Sequence, residues 1–130
     1  DPRPQDRRGR TPLHQVTTAQ LAVALLAVGA AVDVADGTGR TPLIDQARNG
    51  RGDVVARLLA AGADPNHADE RGRTALSEAA RGGHGKVVVR MLAAGAHLDV
   101  EDDDGLTALG HARSHGYANI VDLLEKGSTP

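Results

Sequence analysis

A five-residue phrase recurs four times along the chain, and this repeat constrains the fold more than any other feature of the sequence. The copies are GRTPL, GRTPL, GRTAL and GLTAL, at residues 9–13, 39–43, 72–76 and 105–109. Their threonines, at positions 11, 41, 74 and 107, are separated by 30, 33 and 33 residues. Such a period is typical of tandem units that bury their apolar faces against one another. The sequence therefore predicts a solenoid in place of a single central core.

Each unit has the pattern of two helices joined by a turn. Threonine is a favoured N-cap, and the proline that follows Thr41 suits the first position of a helix. Apolar residues in the second half of a unit come in adjacent pairs four apart, as at 54–55 and 58–59. This spacing follows the period of a helix and differs from strand alternation. Gly62 then falls where a helix C-cap is expected, so the fold class is predicted to be all-α.

The composition limits which residues can form the core and which functions the chain can have. Tyr117 is the only aromatic residue, so the core is expected to consist of closely packed alanine and branched aliphatic side chains. The absence of cysteine excludes disulfides and thiolate chemistry. A net charge of −2 and the shortage of aromatic side chains argue against a nucleic-acid binder. No nucleophile elbow, phosphate-binding loop or paired-carboxylate arrangement is recognisable, so we expect neither enzyme activity nor a cofactor.

The sequence also leads to an expectation about the cellular compartment of the protein. Its longest apolar stretch, residues 21–32, is shorter than the roughly 20 apolar residues that span a bilayer. We therefore expect a soluble monomer without membrane contact, in the cytoplasm or, if a signal peptide has been removed, in a bacterial periplasm. Arginine outnumbers lysine 13 to 2, which hints at a GC-rich bacterial coding source.

The recurring phrase, the Asp three residues before its glycine and sequences such as Gly62-Ala63-Asp64 resemble the ankyrin repeat family over residues 6–127. The resemblance implies an ankyrin-repeat solenoid of stacked helix pairs, with short hairpin-like finger loops along one side. Fingers and first helices would together form a concave face. It further implies a protein–protein interaction module, acting as an adaptor or inhibitor, without catalysis.

We expect a single domain over residues 1–130, with repeats at 6–35, 36–68, 69–101 and 102–127. The first repeat is three residues short, so its first helix is expected to be reduced, with Thr17 capping its second helix. The last repeat is expected to be a C-terminal cap. Its Glu125 stands where Leu59 and Leu92 stand in the two preceding repeats, which gives the outer surface a charge.

If the family geometry applies, the partner-binding residues lie on the fingers and at the ends of the first helices. They are Arg7, Arg8, Arg10, Thr38, Arg40, Arg48, Asn49, Glu70, Arg71, Arg73, Arg81, Asp103, Asp104, Leu106 and His115. Arg10, Arg40 and Arg73 hold one position in successive repeats and would form a ladder of guanidinium groups. Such a ladder would bind the carboxylates of an acidic protein surface. The alternative is an Arg-rich groove that binds a phosphate-bearing ligand or nucleic acid.

The histidines divide into two groups. The family resemblance gives His14 and His84 structural roles in hydrogen bonds between turns. His111 and His115 are four residues apart on a predicted first helix, a spacing that can place two imidazoles on one metal ion. Because the sequence offers no evident third ligand, this pair is only a weak metal candidate, and we predict no metal.

Overall fold

The computed structural model describes residues 5–127, and within that range it contains eight α-helices and no strand. The helices are α1 (Pro12–Gln15), α2 (Ala19–Ala27), α3 (Pro42–Arg48), α4 (Gly52–Ala60), α5 (Ala75–Gly82), α6 (Gly85–Ala93), α7 (Ala108–Ser114) and α8 (Ala118–Gly127). Each predicted repeat contributes one pair. The predicted all-α solenoid is therefore confirmed.

Threonine caps begin the first helices of the later repeats. At the start of α3, the hydroxyl of Thr41 accepts a hydrogen bond from the backbone N–H of Ile44 at 3.4 Å. Thr74 and Thr107 do the same at α5 and α7. These bonds satisfy N–H groups that have no partner inside the helix, which is why the phrase recurs at each helix start.

The first repeat departs from this pattern. Helix α1 has only four residues, so the predicted reduction of the first helix is confirmed. The predicted cap of α2 was wrong by one residue. Thr18, and not Thr17, has extended backbone angles directly before the helix and accepts a hydrogen bond from Leu21 N–H at 3.2 Å.

The helices stack in two rows. First helices α1, α3, α5 and α7 pack in chain order, and second helices α2, α4, α6 and α8 form the other row. Between the rows lies a continuous core of aliphatic residues, with Leu43, Leu58 and Leu76 buried completely or nearly so. Ala79 and Ala112 are also fully buried, and their small side chains let neighbouring first helices approach closely. The core thus has the predicted composition.

Backbone hydrogen bonds join each finger to the next. The N–H of Gly37 donates to the carbonyl of Arg8 at 2.7 Å, and the N–H of Glu70 donates to the carbonyl of Thr38 at 3.0 Å. A similar bond joins the third and fourth fingers. Within a finger, the Asp carboxylate accepts two backbone N–H bonds, as Asp36 does from residues 38 and 40. The fingers are therefore held in a fixed row beside the first helices.

The single aromatic residue packs between two repeats. The ring of Tyr117 stacks on His115 with centroids 5.6 Å apart. It also covers Gly83, where a Cβ atom would lie 3.0 Å from the ring carbon Cζ. Gly83 has φ of +77°, so glycine is favoured there both by its backbone conformation and by the ring above it.

The two ends of the stack differ in chemistry. At the first repeat, Leu21 and Val28 are 52% and 67% exposed. At the last repeat, Glu125 is exposed and pairs with Arg113 at 2.8 Å. None of the helices within residues 5–127 has the length and apolar character needed to cross a membrane.

Candidate partner-binding face

The three arginines predicted to form a ladder are paired with carboxylates of the chain itself. Arg10 Nε lies 3.2 Å from Asp6, and Arg40 Nε lies 3.5 Å from Asp69. The exposed fraction of the side chain falls from 32% at Arg10 to 20% at Arg40 and 10% at Arg73. The ladder therefore becomes less accessible with each repeat, and its three guanidinium groups are not equivalent.

Arg73 is surrounded by three carboxylates. Its guanidinium nitrogens lie 3.7 Å from Glu78, 3.7 Å from Asp102 and 3.4 Å from Asp104. The side chain of Glu78 is completely buried and that of Asp102 is 1% exposed. Removing Arg73 would leave Arg81 as the remaining partner of Glu78 and His111 as the remaining partner of Asp102, so it should destabilise the protein. Arg73 therefore bridges the third and fourth repeats, which leaves its guanidinium group little accessible for the predicted contact with a partner.

Asp102 is also the hydrogen-bond partner of a buried histidine. The Nε2 atom of His111 lies 2.6 Å from Asp102 Oδ2, and backbone N–H groups of Asp104 and Leu106 donate to Oδ1. Burial alone would raise the pKa of Asp102, but these hydrogen bonds outweigh it and hold the pKa below its usual value. Asp102 is thus kept ionised at the interface between the third and fourth repeats.

The histidines proposed as a weak metal pair have other partners. His111 Nε2 faces Asp102, whereas His115 Nδ1 donates to the carbonyl of His111 at 2.9 Å. Because a carbonyl can only accept, His115 Nδ1 carries a proton and has no lone pair for a metal in this arrangement. Both imidazoles therefore take part in hydrogen bonds within the fourth repeat. His14 and His84 likewise donate to backbone carbonyls, as the resemblance implied.

Most of the other predicted contact residues lie on the surface. Arg7, Arg8, Arg48 and Arg71 are exposed, and among residues 5–127 none of their side chains has a hydrogen-bond or ion-pair partner. Also exposed are Thr38, Asn49, Glu70, Asp103, Asp104 and His115, while Arg81 and Leu106 are half-buried. Exposed basic groups with no internal partner therefore lie on the first and third fingers and at the end of α3.

A pocket of about 530 Å³ opens between the first two fingers and α3. Its lining comprises Arg8, Arg10, Asp36, Gly37, Thr38, Arg40, Asp45 and Arg48. The four arginines and Thr38 belong to the contact residues predicted from sequence. The structure thus gathers five of the predicted residues around one concave site.

The pocket also contains two carboxylates that the sequence did not single out. Ligand atoms of His14, Asp36 and Asp45 lie within 4.8 Å of one another. Burial would raise the pKa of Asp36, but hydrogen bonds from Arg40 N–H and Thr38 hold it below its usual value. Burial raises the pKa of Asp45, which receives no such bonds from any of the residues 5–127.

A sequence signal for Asp45 did exist. The position four residues after each recurring threonine holds Gln15, Asp45, Glu78 and His111, so it is polar in every repeat. In the second to fourth repeats these residues are buried. Aligning the repeats at this position would have identified a polar row beneath the fingers.

Comparison with known proteins bears on the fold and the general function. A family model described as ankyrin repeats (3 copies) matches residues 1–69 and 45–130, which together cover the chain. A comparison with curated proteins gives no match. Ankyrin repeats generally mediate protein–protein interaction and are typically not enzymes. The helix pairs, the capping threonines, the linked fingers and the family match lead to one conclusion: this chain belongs to the ankyrin repeat family.

Proposed function

We propose that the chain binds an acidic segment of another protein on the face formed by the fingers and first helices, as an adaptor or inhibitor. The observation that carries this proposal is the pocket between the first two fingers. Arg8 and Arg48 line it, both are exposed, and among residues 5–127 neither side chain has a carboxylate partner. Arginine can bind carboxylates through two parallel hydrogen bonds and is enriched at interface hot spots.

The charge distribution along the fingers extends this proposal. Arg7 and Arg71 are also exposed, and their side chains have no partner within residues 5–127, whereas the fourth finger carries Asp103 and Asp104 at its tip. An acidic segment would therefore lie over the first three repeats and would be repelled by the fourth. Arg73 has no part in this contact, because its guanidinium group is enclosed by carboxylates of the chain.

The test is a charge reversal at the pocket. Arg8→Glu combined with Arg48→Glu should weaken binding of a fluorescent glutamate-rich peptide at least tenfold, as expected for the loss of two charged contacts. Arg57→Glu combined with Arg90→Glu is the matched control. These two arginines are exposed on α4 and α6, so the control makes the same change in net charge in the other row of helices. Thermal unfolding should be similar for both variants.

Equal peptide affinity for the two double variants would contradict the proposal, since net charge alone would then explain binding. An oligonucleotide in place of the peptide tests the alternative of a phosphate-bearing ligand. Tight oligonucleotide binding with a steep salt dependence, lost on the same pocket substitutions, would favour that alternative.

A further inference from the structure

The pocket contains a carboxylate pair, Asp36 and Asp45, that forms no ion pair with any residue of the described part of the chain. Asp45 is only 7% exposed, lines the pocket, and among residues 5–127 its carboxylate has neither a hydrogen-bond nor an ion-pair partner. Asp36 accepts its hydrogen bonds through Oδ1 alone. Carboxylate oxygens of the two residues lie within 4.8 Å of each other. Buried charges are normally paired, so this pair is an exception that calls for a cation.

In the third and fourth repeats, the residue equivalent to Asp45 has a charged partner. Glu78, four residues after Thr74, lies 3.7 Å from Arg73 and 3.6 Å from Arg81. His111, four residues after Thr107, is paired with Asp102. In the third and fourth repeats, the residue at this position is therefore paired with a charged side chain. In the second repeat, Asp45 has no such partner among residues 5–127.

The nearby arginines do not neutralise the carboxylate pair, because their guanidinium groups pair with other carboxylates or lie exposed to solvent. Arg40 Nε faces Asp69 and Arg10 Nε faces Asp6. Arg8 and Arg48 are exposed at the pocket, where solvent screens their charge. Burial raises the pKa of Asp45, as does the neighbouring Asp36, although electrostatic attraction to His14, Arg48 and Arg40 opposes this. Among residues 5–127, neither carboxylate has a lysine or arginine within ion-pair distance.

A metal ion is a poor occupant because His14 is already fully engaged. Its Nδ1 accepts the N–H of Thr11 at 2.9 Å, so the proton is on Nε2, which donates to the carbonyl of Arg40 at 2.8 Å. A metal would have to break one of these bonds to use the imidazole. Two carboxylates without that third ligand suit an ammonium or guanidinium group, which brings its own hydrogen-bond donors.

We propose that a lysine or arginine side chain of the partner inserts between Asp36 and Asp45, while acidic residues on either side of it contact Arg8 and Arg48. This inference rests on the proposed function and specifies it further. The partner segment would carry one basic residue flanked by acidic residues. Arg73 between Glu78 and Asp102 provides an internal example of a basic side chain between two carboxylates at this level of the stack.

The experiment compares two short fluorescent peptides that differ at one position. One has a central lysine flanked by glutamates, and the other has norleucine in place of the lysine, which removes the ammonium group. On a face lined by arginines, general electrostatics favours the more negative norleucine peptide. The inference requires the opposite order. Wild-type protein should bind the lysine peptide about fivefold more tightly, as expected for a charge-assisted contact in a buried pocket.

Asp45→Asn should abolish this preference and bring the ratio of the two affinities close to one. Asp99→Asn is the matched control, because Asp99 is exposed and does not line the pocket, and it should keep the wild-type ratio. Equal or tighter binding of the norleucine peptide to wild-type protein would overturn the inference and leave the acidic-partner proposal intact. A lysine preference that survives in Asp45→Asn would also overturn it. If neither peptide binds, both proposals fail.

Discussion

At the scale of single residues, two aspartates show how the partners of a carboxylate decide whether its charge stabilises the fold. Asp45 and Asp102 are equally exposed, at 7% each. Asp102 accepts hydrogen bonds from His111 and two backbone N–H groups, and its pKa is lowered. Asp45 receives none among residues 5–127, and its pKa is raised by burial. The same residue type therefore has opposite linkage to pH in the second and fourth repeats.

The sign of each effect follows from proton binding. The folded state holds the proton of Asp45 more tightly than the unfolded chain does, so folding stability falls as pH rises through the raised pKa. For Asp102 the folded state holds its proton less tightly. Its stabilising contribution is present above the ordinary value of 3.8 and is lost as pH falls through the lowered pKa.

The prediction compares the same substitution at the two sites in urea unfolding at neutral pH. Asp45→Asn should raise the free energy of unfolding by about 1 kcal/mol, because it removes an unpaired buried charge. Asp102→Asn should lower it by about 2 kcal/mol, because hydrogen bonds to an ionised carboxylate are lost. The gain from Asp45→Asn should shrink as the solution is acidified toward the pKa of Asp45. Destabilisation by Asp45→Asn at neutral pH would show that its charge is compensated after all.

At the scale of elements, the turn within each helix pair contains a glycine with positive φ at the same position in three repeats. These are Gly50, Gly83 and Gly116, with φ of 74°, 77° and 71°. The following repeat places a ring against the first two: His84 against Gly50 and Tyr117 against Gly83. Gly116 has no described atom within 4 Å of the site of a Cβ atom. The three turns thus share a backbone conformation that favours glycine but differ in the space available for a Cβ atom.

This difference predicts unequal effects of one substitution. Gly116→Ala should cost about 1 kcal/mol, since alanine disfavours positive φ. Gly83→Ala should cost roughly 1–3 kcal/mol more, because its Cβ would press on the Tyr117 ring and force it from its packed position. The measurement is the midpoint of urea unfolding for the two variants. Equal losses would mean that the ring moves aside freely and does not connect the third and fourth repeats.

The sequence predicted the elements well and the contacts between repeats less well. Capping threonines and the helical period depend on residues close in sequence, so Thr41, Thr74 and Thr107 could be interpreted directly. Ion pairs between repeats depend on which of several charged neighbours is nearest in space. Arg40 pairs with Asp69 of the next repeat, whereas Arg10 pairs with Asp6 of its own, although both occupy the same position of the phrase.

The candidate site shows the same limit. Arg8, Arg10, Arg40 and Arg48 were predicted as contacts, but their convergence on one pocket follows from finger geometry that the repeat phrase does not specify. Asp45 was missed because a single acidic residue on a first helix resembles an ordinary solvated position. The polar residue at the equivalent position of each repeat distinguishes it in the sequence, and its burial distinguishes it in the structure.

At the scale of the whole molecule, the outer surface of the last repeat is predicted to keep the stack from associating through that end. Leu92 occupies the position of Glu125 one repeat earlier and packs close to Gly127 of the fourth repeat, 3.3 Å from the site of a Cβ atom there. Glu125→Leu would place the same apolar side chain on a surface where Glu125 is exposed.

Glu125→Leu should therefore keep the fold and increase self-association, measured by sedimentation over a range of concentrations. Its ion pair with Arg113 is exposed, so the loss of that pair should cost less than about 1 kcal/mol. Glu125→Gln serves as the control, because it removes the charge without adding apolar surface. A Glu125→Leu variant that stays strictly monomeric and is destabilised would contradict the cap interpretation.

The position of Tyr117 also makes the molecule convenient for spectroscopy. The chain has no tryptophan and one tyrosine, so its intrinsic fluorescence comes from a single ring between the third and fourth repeats. Circular dichroism, in contrast, reports all eight helices within residues 5–127. In a linear array, the repeats at one end can unfold before those at the other end. If the unfolding curves from the two signals do not coincide, their difference would show, without any added label, whether the third and fourth repeats unfold before or after the others.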